Sequence, residues 1–236
     1  MPAHRHPLRP LLAAVAGSAL LALPCAAAWS ASLDALSPKD ASSGLRAALA
    51  QGIDRSIAQL GAPDGFLKNP KFTIPLPPAL EKADRALRMV GMSGDADELK
   101  TAMNHAAESA MGEAKPVFKQ ALQRMTVTDA KNILTGGEDS ATQYFRQATS
   151  AQLTQKFKPI VARATAKVKL GPMYDKYAGK AAQFGLVKSE DANLDDYVTT
   201  KALDGLFGAI ADEERAIRKD PVGQASSIIR KVFGAL

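Results

Sequence analysis

Apolar residues recur every three or four positions along most of the chain, and this spacing places them on one face of an α-helix. The clearest case is the segment 42–60, where the recurring residues are Leu45, Leu49, Ile53, Ile57 and Leu60. Ser42 or Ser43 is suited to cap the start of this helix, and Gly61 is suited to end it. The pattern therefore predicts an amphipathic helix close to the beginning of the folded part.

The same spacing predicts five further helices, over residues 78–90, 95–111, 113–125, 128–134 and 194–219. It also predicts a long helix that a capping box of Ser140 and Gln143 would begin. Pro159 is expected to kink or restart that helix. Asp220 and Pro221 are suited to begin a last helix near the end of the chain. The predicted fold class is all-α, a multi-helix bundle.

One segment cannot be a continuous helix, because residues 62–80, "APDGFLKNPKFTIPLPPAL", hold five prolines and a glycine. Phe66, Leu67, Phe72, Ile74 and Leu76 make it too apolar for a free linker. We expect an ordered Pro-rich loop that packs against the bundle, with a short extended piece over residues 71–76. "PLPP" is too short for a polyproline recognition motif.

The first 28 residues have the pattern of a Sec-type signal peptide. Arg5 and Arg9 precede an apolar run over residues 11–23, which is too short for a comfortable membrane span, and Ala26–Ala28 offer small residues to a signal peptidase. We predict cleavage after Ala28, a periplasmic location, and no stable membrane span in the mature chain. Residues 29–236 would then form a single helical domain.

Cys25 raises the alternative of a lipoprotein. Lipidation needs small residues before the cysteine, but Leu23 and Pro24 stand there, which argues against it. If Cys25 leaves with the signal peptide, the mature chain has no cysteine and therefore neither disulfides nor thiol chemistry.

The charge of the chain is mildly basic. The formal net charge of +6 falls to +4 when the two arginines of the signal peptide are removed. Such a charge suits anionic envelope components but is also ordinary for solubility. An exported chain without a cluster of lysines and arginines interleaved with aromatic residues is not expected to bind nucleic acid.

The twin glycines of "ILTGGEDSATQYFR", Gly136 and Gly137, permit two interpretations. One of them can close the preceding helix with a positive φ, which makes the pair a structural turn. Alternatively, free amides at the next helix start, with Thr142 and Arg146, would bind an anion or another polar ligand. The spacing matches no P-loop, and Glu138 and Asp139 would repel an anion, so the turn is favoured.

Candidates for catalysis and metal binding are few. His105 is the only histidine after position 28, so zinc sites of several histidines are excluded. "SEDANLDDY" begins like a calcium loop, but Asp196 stands where that loop needs glycine. We predict no metal and no cofactor. No G-x-S-x-G turn is present, which leaves two-carboxylate hydrolysis of an envelope glycan as the open enzymatic alternative.

Methionines concentrate in the middle of the chain, where five lie between residues 89 and 125. Methionine adapts to irregular apolar space, so these residues indicate either a plastic core or an apolar cleft between the middle helices. In the second case Met103 and Met111 would contact a lipid tail or a partner helix.

Several segments together resemble one bacterial family. They are "GLRAALAQGI", "DGFLKNPKFTIPLPPAL", "EAKPVFKQA", "ILTGGEDSATQYFR" and "LDDYVTTKALDGLFGAIADEERAIRKDPV". In this order they resemble the family catalogued as domain of unknown function 4197, from about Ser32 to Phe233. The resemblance implies an exported, helical, single-domain protein of Gram-negative bacteria. It implies no activity and no functional residue.

We therefore expect a non-enzymatic binder of a hydrophobic or envelope-derived ligand, or of an envelope protein. The alternatives are a carboxylate-dependent envelope hydrolase and a structural subunit of an envelope assembly. A hydrolase would bring two carboxylates across a groove, whereas a structural subunit would expose a broad apolar face. The oligomeric state stays open.

Overall fold

The computed structural model describes residues 38–81, 84, 89, 94–168, 171–175 and 192–220. Its helices are α1 (Pro38–Leu60), α2 (Gly94–Ala110), α3 (Ala114–Arg124), α4 (Val127–Thr135), α5 (Ser140–Thr165) and α6 (Leu194–Lys219), with a 3-10 turn at Met111–Glu113. Residues 78–81 and 171–175 are also helical, and no strand occurs among the described residues. The all-α prediction is confirmed. The predicted signal peptide, Cys25 and all but the first residue of the predicted last helix lie outside the described residues.

The helices pack around α5 and α6, which share the most extensive interface. Helix α2 packs on α5, and α1 packs on α6, α3 and α4. Aromatic rings fill the centre, where Phe118 meets Phe145 and Phe207 edge to face at centroid distances of 5.6 and 6.1 Å. Edge-to-face pairs of this kind add to the stabilisation from burying the rings.

Two helix boundaries differ from the expectation. Helix α1 begins at Pro38, so Ser42 lies inside it and is buried rather than capping its start; proline is well suited to a first helical turn. Helix α5 continues through Pro159 without restarting. Pro159 and Gln155, whose carbonyl loses its helical donor there, both lie on the exposed side of the helix, where water can replace the lost hydrogen bond. The predicted bounds of α6 agree with the structure.

The predicted capping box of Ser140 and Gln143 is wrong. Asp139 is the residue at the N-cap of α5, without a side-chain bond, and Ser140 is already helical. The Ser140 hydroxyl instead donates backward, to the carbonyls of Ile133 and Gly137. A genuine capping box begins α4, where Thr126 and Asp129 bond each other's backbone amides.

The Pro-rich segment is an ordered loop, as predicted. We call residues 61–77 the clamped loop, because two polar side chains of α2 hold its backbone. The buried Glu108 carboxylate accepts the amides of Asp64, Phe66 and Leu67 at 3.3, 3.0 and 3.1 Å. Asp64 has a φ of 63°, a conformation that helps turn neighbouring amides toward one anion.

A second clamp lies one helical turn before Glu108. Asn104, fully buried, accepts the amide of Ile74 at 2.8 Å and donates to the Ile74 carbonyl at 2.9 Å. The hydroxyl of Tyr197 on α6 donates to the carbonyl of Pro75 at 3.2 Å. These bonds satisfy backbone groups that helix or sheet would otherwise satisfy, which is how a long irregular segment remains folded.

Two phenylalanines of the clamped loop lie against glycines of α6. A Cβ atom on Gly205 would come within 2.7 Å of the Phe66 ring, and one on Gly208 within 2.8 Å of the Phe72 ring. Phe66 is completely buried. The glycines of "LDGLFGAI" are therefore required for the close approach of the loop to α6.

We expect Gly205→Ala to destabilise the protein by about 1–3 kcal/mol, because the added methyl group must displace the buried Phe66 ring. Gly112→Ala is the matched control, since nothing lies within 4 Å of the Cβ position there. Urea unfolding followed by circular dichroism measures both. Equal midpoints for the two variants would contradict the packing role of Gly205.

Candidate functional site

The segment from Asp212 to Arg218 of α6 connects several parts of the fold. Its side chains form bonds of 2.6–2.8 Å to groups distant in sequence. The contacts are Asp212 with Lys71 of the clamped loop, Glu213 with Arg55 of α1, Arg215 with Asp139 before α5, and Arg218 with the carbonyl of Ile133 in α4. Partial burial opposes ionisation of Asp212, but hydrogen bonds from Lys71 and Arg215 outweigh it and lower the pKa of this carboxyl.

The start of α5, which the alternative interpretation of the twin glycines makes an anion site, is capped by a carboxylate of the protein itself. Glu214, which is 4% exposed, accepts the amides of Ala141 and Thr142 at 3.0 and 2.9 Å and the Thr142 hydroxyl at 2.8 Å. The Arg218 guanidinium bonds the same carboxylate at 2.9 Å. An external anion would have to displace Glu214 to reach these amides.

Arg146 also has partners within the protein. Its guanidinium bonds Asp204 at 3.1 Å and lies over the Phe207 ring at 4.6 Å from the centroid. Arg146 and Thr142 therefore stabilise the contact of α5 with α6. Ligand binding by these two residues stays a prediction, and their geometry supports a structural role.

The twin glycines form a turn between α4 and α5, but neither needs a positive φ. Gly136 is extended, with a φ of −83°, and Gly137 is also outside the left-handed region. The expectation of a left-handed glycine was wrong. Gly136 is required for space instead, because a Cβ atom there would lie 2.8 Å from the Asn132 carbonyl and 2.7 Å from the Ser140 Cβ.

A groove of 690 Å³ lies between α2 and the C-terminal end of α5, and we call it the α2–α5 groove. Its floor is apolar, with Ala106 and Val168 buried and three further side chains half-buried. These three are Ala102, Ile160 and Ala164. Helical spacing of four residues aligns the floor along both helices.

Charged side chains form the rim of this groove. Glu98 and His105 stand on α2, while Arg163 stands on α5 and Lys167 directly after it, and all four are exposed. Among the described residues, neither Arg163 nor Lys167 forms an ion pair with a carboxylate. His105 lies 3.5 Å from Asp64 of the clamped loop.

Met103 and Met111, the candidate cleft residues, are fully buried in the hydrophobic core. Neither lines a described groove. Their contact with a ligand stays a prediction, and their placement matches the plastic-core interpretation. The floor residues of the α2–α5 groove carried only a weak sequence signal, since a helical apolar stripe does not distinguish a core from a groove floor.

A smaller pocket of 260 Å³ lies between the clamped loop and α6. Phe72, Ile74 and Gly205 contribute apolar surface, and Lys71 and Lys201 stand beside them. Its carboxylate, Asp204, is bonded to Arg146. Each described groove is lined by one carboxylate, so no opposed carboxylate pair forms in either of them.

A carboxylate with a raised pKa lies elsewhere. Burial raises the pKa of Asp175, and the charges of Asp195 and Asp196 raise it further. The hydrogen bond from the Leu194 amide lowers this pKa but does not offset the increase. These residues surround the start of α6, where Asn193 is the N-cap. Asp195 accepts the Thr165 hydroxyl at 2.6 Å. Of the calcium-like stretch, residues 189–191 lie outside the described residues.

Two further findings concern the described part of the chain. None of its helices combines the length and apolarity needed to cross a bilayer. No three of its histidine, cysteine, aspartate or glutamate side chains are grouped so that they could hold a metal ion.

The described residues form an all-α protein with two grooves on its surface. A family model described as "Protein of unknown function (DUF4197)" matches residues 35–234, and the chain belongs to this family. The resemblance drawn from the sequence segments is thereby confirmed. Searches of curated proteins and of solved structures each found no match.

The twin glycines are expected to differ when each is changed to alanine. Gly136→Ala should cost about 1–3 kcal/mol, because the backbone carbonyl of Asn132 cannot move away from the new methyl group. Gly137→Ala should stay within about 0.5 kcal/mol, since nothing lies within 4 Å of its Cβ position. Thermal unfolding of the two variants measures the difference, and a costlier Gly137→Ala would refute this account of the turn.

Glu214→Ala is expected to destabilise the protein by about 3–5 kcal/mol, because it leaves two helix amides and Arg218 without their buried carboxylate. Glu213→Ala is the matched control. Its ion pair with Arg55 is partly exposed, with side-chain exposures of 24% and 39%, and should contribute less than about 1 kcal/mol. The free energies of unfolding in urea test this. If Glu214→Ala and Glu213→Ala lower the free energy of unfolding by similar amounts, the capping of α5 by Glu214 is not an important source of stability.

Proposed function

We propose that the protein is exported to the periplasm and is a non-catalytic binding protein that holds a hydrophobic, envelope-derived ligand in the α2–α5 groove. The observation behind this proposal is the groove itself, with its apolar floor and charged rim. Its volume of 690 Å³ lies within the range of about 300–1,000 Å³ of small-molecule sites.

The length of the groove suits a single alkyl chain. From Glu98 to Ser109, α2 runs for three turns, or about 16 Å at 1.5 Å per residue. Three of the five floor side chains, those of Ala102, Ala106 and Ala164, are single methyl groups. A slender chain can bury apolar surface along such a floor while a polar end reaches the rim, and this burial is favourable.

Catalysis finds less support than binding. A carboxylate-dependent hydrolase needs two carboxylates that face each other across the substrate, and the two described grooves contribute one each, Glu98 and Asp204. A structural subunit would expose a broad apolar face, and the described residues do not support one. Their exposed large apolar side chains, Met89, Val127 and Met173, belong to three separate segments.

Native mass spectrometry of the chain purified gently from a bacterial periplasm tests the proposal. We expect a lipid-sized mass on the wild-type protein that solvent extraction removes. Ala164→Trp should lose this mass, because the half-buried Ala164 lies on the groove floor and an indole ring there fills the space of the ligand.

Ala148→Trp is the matched control, since Ala148 is exposed on the same helix and lines neither described groove. It should keep the bound mass, and circular dichroism should show both variants folded. A wild-type protein that carries no ligand and takes up no decyl maltoside below its micellar concentration would refute groove binding. So would equal retention by the two tryptophan variants.

A further inference from the structure

The two walls of the α2–α5 groove carry opposite charges at the same end. The Lys156–Glu113 ion pair, at 2.8 Å, places α5 beside the residues that follow α2. All groove residues of α5 follow Lys156, and all groove residues of α2 precede Glu113. The helices therefore run antiparallel along the groove, which brings Glu98 and Lys167 to one end of it.

These charges do not neutralise each other. No ion pair joins Glu98 to Arg163 or Lys167 in the part of the chain that the structure describes. The groove thus separates a cationic wall, with Arg163 and Lys167, from an anionic side chain, Glu98. Arginine and lysine are suited to a phosphate, and a carboxylate is suited to an ammonium group.

We infer that the ligand of this groove is a zwitterionic monoacyl lipid whose headgroup joins a phosphate to a primary ammonium. The inference rests on the proposed function and specifies the ligand of the same site. The acyl chain lies on the floor formed by Ala102, Ala106 and Ala164. The phosphate lies between Arg163 and Lys167, and the ammonium group lies at Glu98. An anionic headgroup without the ammonium fits worse, because Glu98 repels it.

Titration with defined lysolipids below their micellar concentrations tests this inference, with native mass spectrometry or calorimetry as the readout. Wild-type protein should bind lauroyl lysophosphatidylethanolamine at least fivefold more tightly than lauroyl lysophosphatidylglycerol. Glu98→Gln should bring the two dissociation constants within about twofold. The double variant Arg163→Gln/Lys167→Gln should weaken both lysolipids at least tenfold.

Matched controls change the same charges elsewhere. Glu138→Gln and the double variant Lys119→Gln/Lys131→Gln alter exposed side chains outside both described grooves, and both should bind like the wild type. Soluble O-phosphoethanolamine separates a lipid from a free headgroup. It should bind far more weakly than the lysolipid, and equal binding would overturn the requirement for an acyl chain.

Different results refute groove binding and the choice of headgroup. If neither lysolipid nor decyl maltoside binds, groove binding itself is refuted. If alkyl chains bind and Ala164→Trp abolishes this, but wild-type protein does not prefer the ethanolamine headgroup or Glu98→Gln leaves the preference intact, the headgroup inference is overturned while the proposed function stands.

Discussion

A carboxylate buried among helices needs donors on every side, and Glu214 finds them in the first amides of α5 and in Arg218. This interaction fixes where α5 begins relative to α6, and these two helices share the most extensive interface among the described elements. The aromatic centre, the turn at the twin glycines and the wall of the α2–α5 groove all depend on the placement of α5. Because a carboxylate is favoured at the positive end of a helix, one residue provides both a cap and an interhelical contact.

Regular elements could be predicted from the sequence, because helical periodicity is a local property. The bounds of α6 and the ordered Pro-rich loop were predicted from apolar spacing and prolines alone. Short-range sequence patterns gave a wrong prediction where a residue distant in sequence caps a helix in place of the neighbouring residues. Ser140 and Gln143 have the spacing of a capping box, yet Glu214, more than seventy positions away, caps that helix.

The site was harder to predict than the fold. Gly205 and Gly208 are needed because two loop rings approach α6, and no short-range pattern announces such a contact. Methionine composition left a plastic core and an apolar cleft as alternatives, and Met103 and Met111 lie in the core. Alanines, which indicate only good helix formation in a sequence, form much of the groove floor instead. An apolar stripe belongs to the core if another helix packs over it, and it lines a groove if no helix covers it.

Helix α2 contributes to both the α2–α5 groove and the clamped loop. Ala102 and Ala106 face the groove, while Asn104 and Glu108 hold the backbone of the clamped loop. Rolling α2 to widen the groove would strain the bonds to Phe66, Leu67 and Ile74. These bonds therefore hold α2 in place and so fix the width of the groove. The hydrogen-exchange rates of these three loop amides report on movement of α2. Exchange with solvent water becomes faster when α2 shifts and slower when α2 is held in place.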